Sequence, residues 1–335
     1  MQKGKEKILT VSVAAYNMSA YIAQCLDSCM CGDLMEKLEV LVVDDGSKDD
    51  TAEIAERYVA KYPSTFRLLR KENGGYGSTV NLSMSVAQGK YFRLLDADDW
   101  FAAGSLEILL PVLEDCDDDL IVTPMYRCVE GEEPRLMADT FGFGPNETVD
   151  AGSLTLGAYM SMWRMTARTD LLRAQPFELP EHCVFTDQLF VANCLARCES
   201  IRFADCPLYC YRLGRDGQTV APESRIAHYS EMEKVVLTEI AVFEGVEQEE
   251  ARRAMLGTIA THYSTHLKLL VMLPRSIDNY RKIRGFERLL RRDAPELYEA
   301  AGRVRKLTRM LRKSRYVVYW PLTMLDLKQR KYWEV

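Results

Sequence analysis

The chain has 335 residues, 47% of them hydrophobic, which suffices for one large domain with an appendage or for two modest domains. A net charge of −6 leaves no footprint for nucleic-acid binding by the whole protein. No apolar run reaches the roughly 18 residues of a membrane-spanning helix.

The elements can be read in chain order. Met1 to Lys7 is charged and lacks the hydrophobic stretch and small-residue cleavage site of a signal peptide, so a cytoplasmic location is expected. Ile8–Ala14 is a short β-branched run and reads as a strand. Ser19–Met30 carries Ile22, Leu26 and Met30 at helical spacing. Leu38–Val43 is a second strand, stopping at Asp44-Asp45-Gly46-Ser47. A helix over Thr51–Tyr62 ends at Pro63, and Phe66–Arg70 is a third strand. Ser78–Ala87 is a helix closed by Gly89, and Tyr91–Leu95 is a fourth strand running into Asp96. A helix over Ser105–Leu113 and a strand over Leu120–Met125 follow. Residues 128–160 are rich in Gly and Pro and read as loops and short strands; Pro180–Tyr211 resumes helix and strand. From Ser224 onward the chain is helical, so we expect two regions, 1–222 and 223–335.

Strands alternating with helices imply right-handed βαβ units and a mostly parallel sheet. Ligands of such sheets bind outside the carboxyl ends of the strands. Those ends carry Tyr16 and Asn17, then Asp44 and Asp45, then Glu72 and Asn73, then Asp96, Asp98 and Asp99. Ten cysteines occur without any CxxC pair; Cys25/Cys29, Cys194/Cys198 and Cys206/Cys210 are four apart. Reduced, packed thiols are expected rather than disulfides or structural zinc.

Five segments carry chemistry. In Asp96-Ala97-Asp98-Asp99 three carboxylates repel one another, and a hard divalent cation, Mg²⁺ or Mn²⁺, would relieve them. The competing role for Asp98 or Asp99 is to cap a following helix. Asp44 and Asp45 could accept bonds from a base or ribose or merely form a turn, with Asp49, Asp50 and Thr51 capping the next helix. Glu72-Asn73-Gly74-Gly75-Tyr76-Gly77 permits close backbone approach to a ligand but fits neither a Walker motif nor GxGxxG. Asp187 opens a helix, as a first-turn acid or as a general base; His182 nearby faces an acceptor or belongs to a loop. Arg212 and Arg215 follow an aromatic strand and could fork onto phosphate oxygens or sit on the surface.

Together these segments closely resemble family 2 glycosyltransferases of the GT-A fold, over roughly the first two thirds of the chain. Tyr16-Asn17 resembles the end of that family's first strand, with Ala14 in place of the usual proline. Asp44-Asp45-Gly46-Ser47 with Thr51 resembles its donor-binding segment, Asn73-Gly74-Gly75 its Asn-x-Gly loop, and Asp96-Ala97-Asp98-Asp99 its Asp-x-Asp metal motif. Thr186-Asp187-Gln188-Leu189-Phe190 resembles the segment that supplies the catalytic base, with Thr186 replacing a glutamate. The resemblance implies a GT-A catalytic domain and inverting transfer from a nucleotide-sugar, UDP being the commonest nucleotide. The donor would lie on Ala15, Tyr16, Asn17, Asp44, Asp45, Asn73, Gly74, Asp96, Ala97, Arg212 and Arg215. Asp98, with Asp96 or Asp99, would hold the metal, and Asp187 would be the base. The acceptor implied is a glycan or lipid-linked hydroxyl, in cell-surface polysaccharide or teichoic-acid-type synthesis. The QxxRW signature of processive synthases is absent, which implies addition of one or a few sugars.

The last third matches no assigned pattern. Arg303–Lys313 is strongly basic, with Val304, Leu307 and Leu311 at helical spacing. Tyr316, Tyr319, Trp320, Leu322, Met324, Leu325, Lys328, Arg330, Lys331 and Trp333 follow. Peripheral contact of residues 300–335 with an anionic membrane surface and packing of this stripe on the protein are equally weighted expectations. Two other functions compete. A nucleotidyltransferase would want a phosphate-gripping basic signature near the first strand, which is missing. A non-catalytic sugar-nucleotide binder would have no need of both Asp187 and the acidic cluster.

Overall fold

Apolar β-branched runs become strands and amphipathic runs helices throughout residues 6–215, 218, 219 and 221–324, the part of the chain that the computed structural model describes. These residues form two compact units, one of 6–150 with 160–215, the other of 151–159 with the residues after 217.

The first unit runs β1 (Leu9–Ala15), α1 (Ile22–Asp27), β2 (Leu38–Asp44), α2 (Thr51–Lys61), β3 (Phe66–Arg70), α3 (Tyr76–Val86) and β4 (Tyr91–Asp96). It continues with β5 (Trp100–Phe101), α4 (Ser105–Asp115), β6 (Leu120–Val122), β7 (Met125–Val129), β8 (Arg135–Met137) and β9 (Thr148–Asp150). β10 (Met165–Arg168), α5 (Thr169–Ala174), α6 (Thr186–Leu195), β11 (Ser200–Phe203) and β12 (Tyr209–Leu213) complete it. The main sheet has the order β3-β2-β1-β4-β10-β6-β11-β9, and a smaller one has β5-β12-β7-β8. β1 to β4 pair in parallel, whereas β10 is antiparallel to both its neighbours. Every residue of β2 is buried, which is why its centre, Val40–Val43, is a continuous apolar run and not an alternation.

Two expected elements differ. The helix expected from Ser19 starts only at Ile22. Side chains of the loop after β2 take the backbone N–H groups of residues 17–19: Ser47 Oγ accepts from Asn17 at 3.0 Å, Thr51 Oγ1 from Met18 at 2.7 Å and Asp49 Oδ2 from Ser19 at 3.0 Å. The single strand expected over Leu120–Met125 is two, β6 and β7, in different sheets. The break falls at Pro124, which has no N–H to give a ladder. All ten cysteines are buried thiols.

The second unit contains α7 (Pro222–Ala227), α8 (Tyr229–Glu244), α9 (Glu249–Met272), α10 (Ile277–Asp293), α11 (Pro295–Val304), α12 (Lys306–Lys313) and α13 (Tyr319–Leu322). Residues 151–159 lie so close to α9 that a Cβ at Gly257 would stand 2.6 Å from the Ala158 carbonyl oxygen, so only glycine fits there. The buried Glu287 carboxylate ties α10 to α9, α12 and the turn after α12. Tyr263 Oη donates to it at 2.6 Å, Arg312 Nε and Nη2 at 2.7 and 2.9 Å, and Tyr316 Oη completes the set. Arg312→Ala would leave that charge buried without its counterion and should cost about 3–5 kcal/mol. Urea denaturation reads this; a loss below about 1 kcal/mol would show that the two tyrosines alone satisfy the carboxylate. Part of the basic, aromatic stripe is core: Leu311, Tyr316, Tyr319 and Leu322 are buried. Leu325, Lys328, Arg330, Lys331 and Trp333 lie outside the described residues.

Candidate active site

The strand register aligns the predicted site residues along one sheet edge. Ala14 pairs with Asp96 across β1 and β4, Ala15 with Asp44 across β1 and β2, and Asp44 with Arg70 across β2 and β3. Asn17 has a left-handed φ of 53°, and its Oδ1 accepts from Lys48 N at 2.9 Å, so the loops after β1 and β2 are laced together. Asp49 belongs to this lacing. Burial works against its ionisation, but hydrogen bonds from Thr51 and Ser19 outweigh it and hold the carboxyl at about 2. Tyr16 points outward, exposed. A cleft of about 530 Å³ opens beside this edge, lined by Asp44, Ser47, Asp49, Arg70 and Lys71 among others.

Asp45 organises the glycine-rich loop. Its Oδ1 accepts from Gly74 N and Lys71 Nζ, both at 2.9 Å, and its Oδ2 from Gly75 N at 2.8 Å. Asn73 Nδ2 donates to the Asp45 carbonyl at 3.0 Å. The glycines are required here: Gly75 has φ 81°, and a Cβ on Gly77 would stand 2.4 Å from the Pro180 carbonyl oxygen. The 180–186 loop therefore lies directly on the glycine loop, with His182 N donating to Gly74 O at 2.7 Å. Asn81 of α3 holds the start of that loop with both ends of its amide, donating to Leu179 O and accepting from Leu179 N, each at 2.9 Å. Neither Lys71 nor Asn81 was legible as a site residue: each is an ordinary polar residue until the fold places a partner opposite it.

The acidic cluster sits where β4 ends. One carboxylate oxygen from each of Asp96, Asp98 and Asp99 lies within 4.8 Å of the others. The three differ in what they already hold. Asp99 Oδ2 accepts from Tyr209 Oη at 2.6 Å, and its Oδ1 from Arg212 N at 2.7 Å. Asp98 Oδ2 meets Arg215 Nε at 2.5 Å. Asp96 Oδ1 is buried without a hydrogen-bond partner. Burial first, then the charges of Asp98 and Asp187, push Asp96 up to about 7, against the pull of Tyr76 and Trp163. Burial and the charges of Asp96 and Asp98 likewise raise Asp99 well above the usual carboxylate range. An orphaned buried oxygen within a cluster of mutually destabilised carboxylates fits a hard divalent cation. No helix follows directly for Asp98 or Asp99 to cap; α4 begins at Ser105, after Gly104.

Arg212 and Arg215 reach the cluster from the end of β12. Arg212 Nε donates to the Asp98 carbonyl at 2.7 Å, while its guanidinium lies over Trp100 and Tyr21 at 4.6 and 5.1 Å. Asp187 is in the first turn of α6, after Phe185 with φ 66°. Its charge acts on both Asp96 and Tyr76, so it lies within electrostatic reach of the cluster. Trp163 was not singled out from the sequence. Its ring stacks on Tyr211 at 4.2 Å, its carbonyl accepts from buried Arg93, and its side chain favours the ionised form of Asp96. A lone tryptophan in a loop-rich segment gives no signal by itself.

Comparison with known proteins agrees with this architecture. The sequence model of the family described as "Glycosyl transferase family 2" matches residues 10–180. The "Uncharacterized glycosyltransferase MG025 homolog" of Mycoplasma pneumoniae is 36% identical over 138 residues, 40% of this chain and 45% of that protein. The "Uncharacterized glycosyltransferase EpsJ" of Bacillus subtilis is 26% identical over 221 residues, 64% of each. The chain thus spans less than two thirds of these relatives. The crystal structure of S. aureus TarS 1–349 in complex with UDP-GlcNAc superposes with a TM-score of 0.72 at 21% identity, covering 95% of this chain and 90% of that one. At that identity the likeness is one of fold, and it extends into the helical region that had no assignment from sequence. A mostly parallel GT-A sheet and a family match over residues 10–180, half of the chain, make this chain a member of glycosyl transferase family 2.

Proposed function

We propose that the protein is an inverting glycosyltransferase that moves a sugar from a nucleoside-diphosphate donor to a hydroxyl of a glycan or lipid-linked acceptor. One observation carries this reading: Asp187, from a distant part of the sequence, lies within electrostatic reach of the acidic cluster at the strand ends. A base within reach of a centre that would hold a divalent cation, and through it a diphosphate, is what a displacement at an anomeric carbon requires.

Asp187 takes the proton from the acceptor hydroxyl as its oxygen attacks. The bond from the anomeric carbon to the diphosphate oxygen breaks, and the nucleoside diphosphate leaves with the electron pair. A divalent cation on Asp98 and Asp96, when bound, supplies Lewis-acid neutralisation of that diphosphate. Arg215 and Arg212 add fixed positive charge beside it. Asp99 holds the end of β12 to the cluster through Tyr209 and Arg212. Asp44 and the cleft beside it receive the nucleoside, flanked by Tyr16. Asp45 and Asn73 shape the glycine loop on which the Asp187 loop rests.

The test is release of nucleoside diphosphate from a panel of nucleotide-sugars with Mn²⁺ or Mg²⁺. The UDP-GlcNAc named with the similar TarS structure makes it the first donor to try. Nucleotide binding without release from any donor would instead favour a non-catalytic binder. Asn81→Ala tests the positioning of Asp187. It should lower kcat on the order of 10–100-fold, while the nucleotide Kd by fluorescence titration stays unchanged. A matching loss in Kd would assign Asn81 to donor binding.

A further inference from the structure

The last described segment of the second unit is apolar on both its sides. Backbone hydrogen bonds of helical type run from Tyr319 through Met324. Tyr316, Tyr319 and Leu322 turn inward and are buried. The opposite side should then be polar. Instead it presents Val317, Trp320 and Met324 at three- and four-residue spacing, 66%, 37% and 70% exposed. Ile277 adds to this surface. Its neighbour Ser276 bonds Tyr319 Oη through both backbone N–H and carbonyl, at 3.4 and 3.2 Å, and Tyr280 stacks on Trp320 at 5.4 Å. Of nine large apolar side chains exposed among the described residues, these four and Met310 lie between 277 and 324, so the exposure is concentrated, not scattered.

The surroundings of the patch are cationic. Between Glu299 and Asp326 the chain carries seven lysines and arginines and no acid, in a protein of net charge −6. Arg312 is consumed internally by Glu287. Lys306, Arg309 and Lys313 are exposed on the same face of α12 as Met310. Exposed aromatic and aliphatic side chains close in the chain to exposed cations fit a lipid–water interface with anionic headgroups. A cytosolic protein partner of ordinary composition would call for acids opposite these cations as well as a matched apolar pocket. No described helix is long and apolar enough to cross a membrane, so such contact would lie on the surface.

We infer that this face of the helical unit docks the protein on an anionic membrane surface, with Val317, Trp320 and Met324 entering the interface and Lys306 and Lys313 meeting the headgroups. Neither signal alone anchors firmly, since a small apolar patch and a few charges each bind weakly and reversibly. The inference does not depend on the donor or on turnover.

The experiment is flotation of the full chain with phosphatidylcholine vesicles, with and without phosphatidylglycerol. Flotation is expected with the anionic vesicles alone and should weaken as salt is raised. The triple variant Val317→Ser, Trp320→Ser, Met324→Ser and the double variant Lys306→Glu, Lys313→Glu should each lose about tenfold or more in partitioning. The double variant should keep wild-type thermal melting; the triple variant, which loses the Trp320 stack on Tyr280, should melt somewhat lower but stay folded by circular dichroism, and both should keep wild-type nucleotide-diphosphate release. Absence of wild-type flotation on anionic vesicles would overturn the inference. So would equal flotation on neutral ones, or flotation that both variants retain. A dimer in light scattering that the triple variant abolishes, without vesicle binding, would assign the face to a second copy and also overturn it. A chain that releases no nucleotide yet floats would leave the inference standing and defeat only the proposed reaction.

Discussion

Asp187→Asn is expected to cut turnover by about 10²–10⁴, the range that general-base assistance supplies. Donor affinity should be largely intact. Asparagine keeps the size and hydrogen-bonding reach of the side chain and removes its ability to take a proton. Asp187 stands in the first turn of α6, and the loop before it is held by Asn81 and by the Gly74 carbonyl, so the substitution leaves the surrounding backbone in place. Single-turnover kinetics with saturating donor, set beside calorimetric binding of the nucleoside diphosphate, separates the two effects. Unchanged single-turnover rates would remove Asp187 from the chemistry.

Removal of divalent cations by chelation is expected to abolish detectable turnover, with recovery on adding Mn²⁺ or Mg²⁺. Asp98→Ala should reproduce that loss at ordinary metal concentrations, because it removes a ligand and frees Arg215 from its 2.5 Å ion pair. Asp99→Asn should act differently. Both its oxygens already serve Tyr209 and Arg212, so the change should loosen the end of β12 and show first in thermal stability. Full activity in the presence of a strong chelator would refute the metal reading.

The same site implies a pH dependence. The folded protein holds Asp96 protonated up to about 7, against an ordinary value of 3.8. Between those values the folded state binds more protons than the unfolded state, so Asp96 subtracts stability as pH rises through that window. A cation must displace this proton, so metal affinity should rise with pH through about 7. The metal-induced increase in Tm should accordingly be larger on the alkaline side. An increase that does not vary with pH would show that Asp96 is not a ligand.

How much of this was legible beforehand varies by element. The parallel core was, because β1 and β2 are short valine-bearing runs and β4 an aromatic and leucine run, with β2 and β4 closed by Asp, and each is almost wholly buried. The polar strand ends were legible for the same reason. The division of labour within the site was not. Asp44 and Asp45 are adjacent and chemically identical, yet one faces the cleft and the other is spent on the glycine loop. Asp98 and Asp99 diverge in the same way, one toward Arg215 and the other toward Tyr209. Which role falls to which depends on the direction of each side chain at a strand end, a matter of a single residue of register.

The sequence by itself determined that the sheet would be mostly parallel, as β1 to β4 are, that acids would gather at their carboxyl ends, and that a basic, aromatic stretch would close the described chain. Those properties are local, set by residue type and period. Only the tertiary structure decided that Asp187 comes within electrostatic reach of Asp96, that Asn81 holds the start of the loop before it, and which half of the basic stretch is core. Each of these depends on contacts between residues far apart in the chain: Asn81 with Leu179, Glu287 with Arg312, Ser276 with Tyr319. Hydrophobic periodicity states that a residue will be buried or exposed, and carries no information about which distant partner will meet it.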